Sequence, residues 1–100
     1  MISFRVNPPI HPGDMLRTEF LEPLGLTAGK VAKAIGVPRT RVERLIREET
    51  GVSADTAMRL GRYFRMSAEF WLNLQRSVDL WTAERDLKAE GTRIKPLRVA

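Results

Sequence analysis

Between Ala28 and Arg47 the spacing of small and apolar residues admits very few folds. Ala32 stands mid-way along an apolar-periodic stretch, where only a small side chain lets a second helix cross closely. Gly36 follows where the chain must turn sharply, and a left-handed backbone angle is cheapest for glycine. Val42 and Leu45 then recur at the spacing that points both into the seam between two helices. The window reads as a helix-turn-helix over residues 28–47. It also holds Lys30, Lys33, Arg39, Arg41, Arg44 and Arg47 against Glu43, a net charge of +5, equal to that of the whole 100-residue chain. A tri-helical reader of nucleic acid is the first expectation.

The flanking charge sharpens it. Residues 1–27 carry a net −1, residues 48–87 a net −2, and the stretch from Lys88 onward a net +3. Positive charge gathered on one unit and a tail, with a slightly acidic scaffold, is the electrostatic footprint of polyanion binding.

The rest of the chain reads as helices. Asn7-Pro8-Pro9 keeps residues 1–10 extended as an N-terminal arm. A first helix opens at Pro12, with His11 as its cap, and is expected to stop at Pro23 and Gly25. Thr27 caps the second, with Leu26 stapled on Val31. Pro38 opens the third, whose Val42, Leu45 and Ile46 face inward while Thr40, Glu43, Arg44 and Arg47 share the opposite face. Ser53 caps a fourth helix and Ser67 a fifth, which runs over residues 68–89 with Phe70, Leu74, Val78 and Trp81 as a stripe. Such a helix spans roughly 30 Å and outruns four short neighbours. Val78 and Trp81 are therefore expected at a two-fold dimer interface. The last residues, 91–100, form a basic tail or a short strand. One domain, residues 11–90, is expected between arm and tail, all-α throughout.

Other chemistry finds little support. With no cysteine there is neither a disulfide frame nor a thiolate zinc site. No paired-carboxylate, phosphate-loop or metal-ligand constellation occurs, so no catalytic residue, metal, cofactor or small-molecule substrate is expected. No secretory signal or membrane-spanning apolar run is visible, which suits a cytoplasmic protein. If the third helix enters a major groove, Arg39, Thr40 and Arg44 near its N-terminal end are candidates for base edges. Thr27, Lys30, Arg41 and Arg47 are candidates for phosphates. Glu43 is expected to hold Arg39 or Arg47 in an ion pair.

His11-Pro12-Gly13-Asp14 and Glu22-Pro23-Leu24-Gly25-Leu26-Thr27 resemble the opening of HigA/VapI-type antitoxins of the XRE (Cro/CI-like) helix-turn-helix superfamily. Gly36-Val37-Pro38-Arg39-Thr40-Arg41-Val42 resembles their turn and recognition helix. Ser53-Ala54-Asp55-Thr56-Ala57-Met58-Arg59-Leu60 and Glu69-Phe70-Trp71-Leu72-Asn73-Leu74-Gln75 resemble their fourth and fifth helices. The resemblance, from about residue 9 to residue 87, implies a five-helix domain. It also implies a dimer that represses its own operon at a palindromic operator and neutralises a RelE-like toxin that cleaves mRNA. By matching position, Arg39, Thr40 and Arg44 fall where related repressors touch bases, and Thr27, Arg41 and Arg47 where they meet phosphates. A stand-alone XRE-type repressor without a toxin, and a protein-interaction module, are the alternatives. Three features depart from the pattern: Ala28-Gly29 replaces the glutamine common at the second helix, Glu48-Glu49 brings two acids close to the expected phosphates, and Asp14 replaces the more usual glutamate of the His-Pro-Gly-Glu opening.

Overall fold

Caps and breakers divide the computed structural model, which describes residues 8–91 and 93–99, into five helices. The first, α1, covers residues 12–24 in three continuous pieces: an α-helical Pro12–Leu16, a π turn Arg17–Leu21, and Glu22–Leu24. It is followed by α2 (Ala28–Ile35), α3 (Arg39–Ile46), α4 (Ala54–Phe64) and α5 (Ala68–Glu90). No strand occurs among the described residues, and 93–99 carry no regular structure. The extended arm expected at 1–10 lies outside the described residues up to Asn7, as do Thr92 and Ala100 of the tail.

Of the two expected stops, Gly25 ends the helix and Pro23 does not. Pro23 has no N–H to donate and its ring would strike a carbonyl one turn back. The helix widens ahead of it, so that the N–H of Glu22 reaches the Arg17 carbonyl five residues behind. The break comes at Gly25, left-handed at φ 64°, where the N–H of Leu26 closes onto the Leu21 carbonyl at 2.9 Å. Pro38 likewise sits one residue earlier than expected, as the extended N-cap of α3.

The remaining caps form as their residues predict. His11 Nδ1 accepts from the Gly13 N–H at 2.9 Å, and Thr27 Oγ1 from Lys30 at 3.1 Å. Ser53 and Ser67 do the same for α4 and α5. Each such cap stabilises its helix by about 1 kcal/mol.

Leu16, Val31, Val42, Leu45, Leu60 and Trp71 are fully buried, one from α1, α2, α4 and α5 and two from α3. Trp71 is wrapped by Phe20, Phe64 and Phe70 at ring-centroid distances of 5.3, 6.5 and 5.1 Å. Trp71, rather than the expected Phe70 stripe, is thus the anchor of α5; Phe70 and Leu74 pack against the same core from its edge. Farther along, Val78 and Trp81 are half-buried, while Leu80 and Leu87 are exposed.

Candidate nucleic-acid interface

The seam that aims α3 is built from glycine and short apolar side chains. Gly36 is left-handed at φ 75°, and the N–H of Val37 returns to the Ala32 carbonyl at 3.0 Å, turning the chain within three residues. Val42 and Leu45 lock α3 onto α2. From the other side α1 closes so tightly that a Cβ on Gly13 would overlap the carbonyl oxygen of Leu45. The His-Pro-Gly opening therefore both caps α1 and seats it against the C-terminal turn of α3.

With its inner face so held, α3 turns its charged residues outward. Arg39, Thr40, Arg41, Arg44 and Arg47 are all exposed, and the Arg39 side chain keeps 70% of its surface. The expected pairing of Glu43 is with Arg39, Nε to Oε2 at 3.3 Å. Arg44 Nε lies 3.8 Å from Glu49, and Arg41 Nη1 donates to Asp55 at 2.9 Å. Lys30, Lys33 and Arg47 make no ion pair with another described residue. Exposed pairs of this kind stabilise a fold by at most about 1 kcal/mol. They orient the guanidiniums and can be exchanged for phosphate oxygens.

Two of these departures acquire a local reason. A Cβ on Gly29 would come within 3.3 Å of Arg39 Cδ, so glycine lets the Arg39 stem lie against the start of α2. Glu48 takes the left-handed position after α3 at φ 60°, its N–H bonded to the Leu45 carbonyl at 2.9 Å, and Glu49 is the partner of Arg44. One acid thus closes the helix and the other engages an arginine of the exposed face of α3.

Beside α3 runs a cleft of about 440 Å³, lined among others by Thr40, Arg41, Arg44, Thr50, Ser53 and Thr56. Thr50 and Ser53 line this cleft beside the arginines of α3 although no sequence signal places them there. Ser53 was legible only as a cap, since nothing local says that the start of α4 lies alongside α3. Gln75 of α5 fixes this loop. Its Oε1 accepts from the Val52 N–H at 2.7 Å, and a side chain on Gly51 would displace it. Thr27 and Lys30 sit together at the start of α2, exposed.

Asp55 is held below the ordinary carboxylate value chiefly by its hydrogen bond from Arg59; burial opposes this, and the weaker effect of the Arg41 hydrogen bond adds to the lowering. Arg17 is raised by its hydrogen bonds to Asp14 and Glu22. On α5, Val78 and Trp81 are half-buried, and the Arg85 guanidinium sits 5.2 Å over the Trp81 ring. Among the described residues no cluster of acids and histidine could hold a metal ion, and no helix is long and apolar enough to cross a membrane.

A helix pair so joined, with a basic outer face, defines the helix-turn-helix class, and the helix-turn-helix family model matches residues 18–71. Virulence-associated protein I of Dichelobacter nodosus is 51% identical over 79 residues, 79% of this chain and 73% of that protein. Antitoxin HigA-1 of Vibrio cholerae serotype O1 is 40% identical over 92 residues, 92% of this chain and 87% of its own length. A solved structure of Pseudomonas aeruginosa antitoxin HigA with the higBA promoter superposes with a TM-score of 0.84 at 44% identity, over 90% of this chain and 99% of that one. The chain belongs to the HigA/VapI-type antitoxin family of XRE helix-turn-helix proteins, a family of DNA-binding regulators rather than enzymes.

Proposed function

We propose that this protein is the antitoxin of a toxin–antitoxin pair, which represses its own operon as a dimer and neutralises a RelE-like mRNA-cleaving toxin. The observation that carries the DNA half is the near-complete superposition on a HigA antitoxin solved with its promoter. The exposed arginine face of α3 and the adjoining cleft supply the matching chemistry. In this reading α3 lies in the major groove, where Arg39 and Arg44 donate to guanine edges and the Thr40 methyl meets a thymine methyl. Thr27, Lys30, Arg41 and Arg47 meet phosphates, and the loop around Thr50 and Ser53 closes on the same backbone. Two copies joined through α5 present two recognition helices about one DNA turn, roughly 34 Å, apart, which calls for a palindromic operator. Partners of this kind, DNA and a translation-blocking toxin, belong to the cytoplasm.

A mobility shift on the region upstream of the chain's own gene, with co-purification of the protein encoded beside it, tests both halves. Operator binding together with rescue of translation is the expected result. Binding without a toxin partner would make the chain a stand-alone repressor, and a toxin partner without binding would make it an interaction module. Trimming residues 1–7 or 92–100 is expected to leave neutralisation intact, since a folded domain rather than a charged tail makes the contact.

A further inference from the structure

Arg59 of α4 ties three elements together. Its Nη1 donates to the Ile35 carbonyl at 2.7 Å and, more weakly at 3.4 Å, to that of Gly36. Its Nε donates to Asp55 Oδ2 at 3.0 Å, and the same oxygen accepts from Arg41 Nη1 at 2.9 Å. A continuous chain of hydrogen bonds thus runs from the C-terminal carbonyls of α2, through Arg59 and Asp55, to the first turn of α3. Each charge suits its place. The guanidinium meets the negative end of α2, and Asp55 lies in the first turn of α4, where a helix favours an anion.

Stability does not account for this arrangement. The side chains of Arg41, Asp55 and Arg59 keep 45%, 58% and 41% of their surface, so their ion pairs are screened and weak. What the chain of bonds does supply is geometry. Asp55 engages one amino group of Arg41, while Arg41 lines the cleft beside Thr40 and Ser53 with its other donors unengaged by described residues. Arg59 lies against Gly36, where a Cβ would come within 3.3 Å of it, and so braces the turn that sets the angle of α3.

We propose that Asp55 and Arg59 are positioning residues for operator recognition: they orient Arg41 and brace the turn, and so set discrimination between operator and random DNA. The proposal rests on the operator-binding reading above. It differs from that reading in assigning specificity to two residues outside the helix-turn-helix itself.

The test compares wild type with Asp55→Asn, Arg41→Ala and the double variant, each first checked by thermal melting to be folded. Binding is measured across a salt series to a duplex from the chain's own upstream region and to a random duplex of equal length. Asp55→Asn is expected to lower the operator-over-random preference about tenfold. It should also tighten random-DNA binding and steepen its salt slope by roughly 0.9, as one released arginine engages a phosphate. In the Arg41→Ala background the same exchange should leave the preference unchanged. An unaltered preference in Asp55→Asn, or an equal fall in the Arg41→Ala background, overturns the proposal. Measurements without DNA separate it from the reading beneath it. In the free protein Asp55→Asn should broaden the Arg59 Nε–H resonance, and Arg59→Ala should speed amide exchange at Gly36 and Val37. If wild type shows no operator preference the function reading fails, and these signals decide the bond chain alone; their insensitivity would refute it.

Discussion

Among the described glycines, Gly13 has the least room for a side chain. A methyl group there would overlap the Leu45 carbonyl, which is backbone and cannot rotate away. Gly13→Ala should therefore cost about 3 kcal/mol, the upper part of the range for overpacking. Gly25→Ala, where the space is open and only the left-handed angle is strained, should cost about 1 kcal/mol. Urea unfolding of both variants checks the order, and a Gly25 variant as damaged as the Gly13 one would contradict it. Asp55 makes a prediction in pH. Its folded pKa is depressed by Arg59 and then Arg41, so the stability it contributes is present above the unfolded value of about 3.9 and lost as pH falls through the folded value. The stability gap between wild type and Asp55→Asn should accordingly be largest near neutral pH and close as pH falls through the folded value. A gap that widens on acidification would show that pairing is not what Asp55 contributes. The caps at His11, Thr27, Ser53 and Ser67 were legible because a cap bonds within three residues of itself. The roles of Gly13 and Gly29 were not, because Leu45 and Arg39 reach them from another helix.

At the scale of elements, α3 divides its arginines by neighbour. Arg39 and Arg44 pair with Glu43 and Glu49, whereas Arg47 has no partner among the described residues. Arg39→Ala or Arg44→Ala should weaken operator binding by about 1–3 kcal/mol and relax specificity at one base per half-site. Arg47→Ala should weaken all sequences alike and lower the salt slope by about 1. Competition binding against single-base operator variants discriminates the two classes; unchanged ratios for both Arg39 and Arg44 variants would remove them from the bases. The period of apolar residues made α2, α3 and α4 legible, because each buries one stripe, whereas α5 buries only Trp71. The π turn in α1 was not legible, since proline normally ends a helix. Here Phe20 and Leu21 pack on the core in the turn just before Pro23, and the widened turn carries the helix past the proline to Leu24.

The molecule as a whole is long for its size. It measures 57 × 26 × 25 Å with a radius of gyration of 16.8 Å, against about 13 Å for a compact chain of this length. The excess is α5: its first turns anchor on Trp71 and its second half runs out past the other helices with Trp81 half-buried and Leu80 and Leu87 exposed. Covering a tryptophan and a leucine at a two-fold interface contributes roughly 1.5–3 kcal/mol per side chain before association entropy is deducted. Trp81→Glu should shift a dimer toward monomer and weaken operator binding although it removes no DNA contact. Sedimentation at micromolar concentration measures this, and a monomeric wild type or a dimer indifferent to the substitution would discard the α5 interface.

By itself the sequence determined the helices, their caps, the exposed basic face of α3 and the helix-turn-helix class. All of these follow from short-range periodicity, local hydrogen bonding and where charge is concentrated. Only the tertiary structure decided which arginines are clasped by which acids. Asp55 and Arg59 are brought to Arg41 and Gly36, and Gln75 to Val52, by helices that meet in space while lying far apart in the chain. Spacing along a chain reports contacts within a helix, where neighbours recur every three or four residues. Contacts between helices depend on how side chains of several elements fill one core, and that packing is a property of the folded molecule.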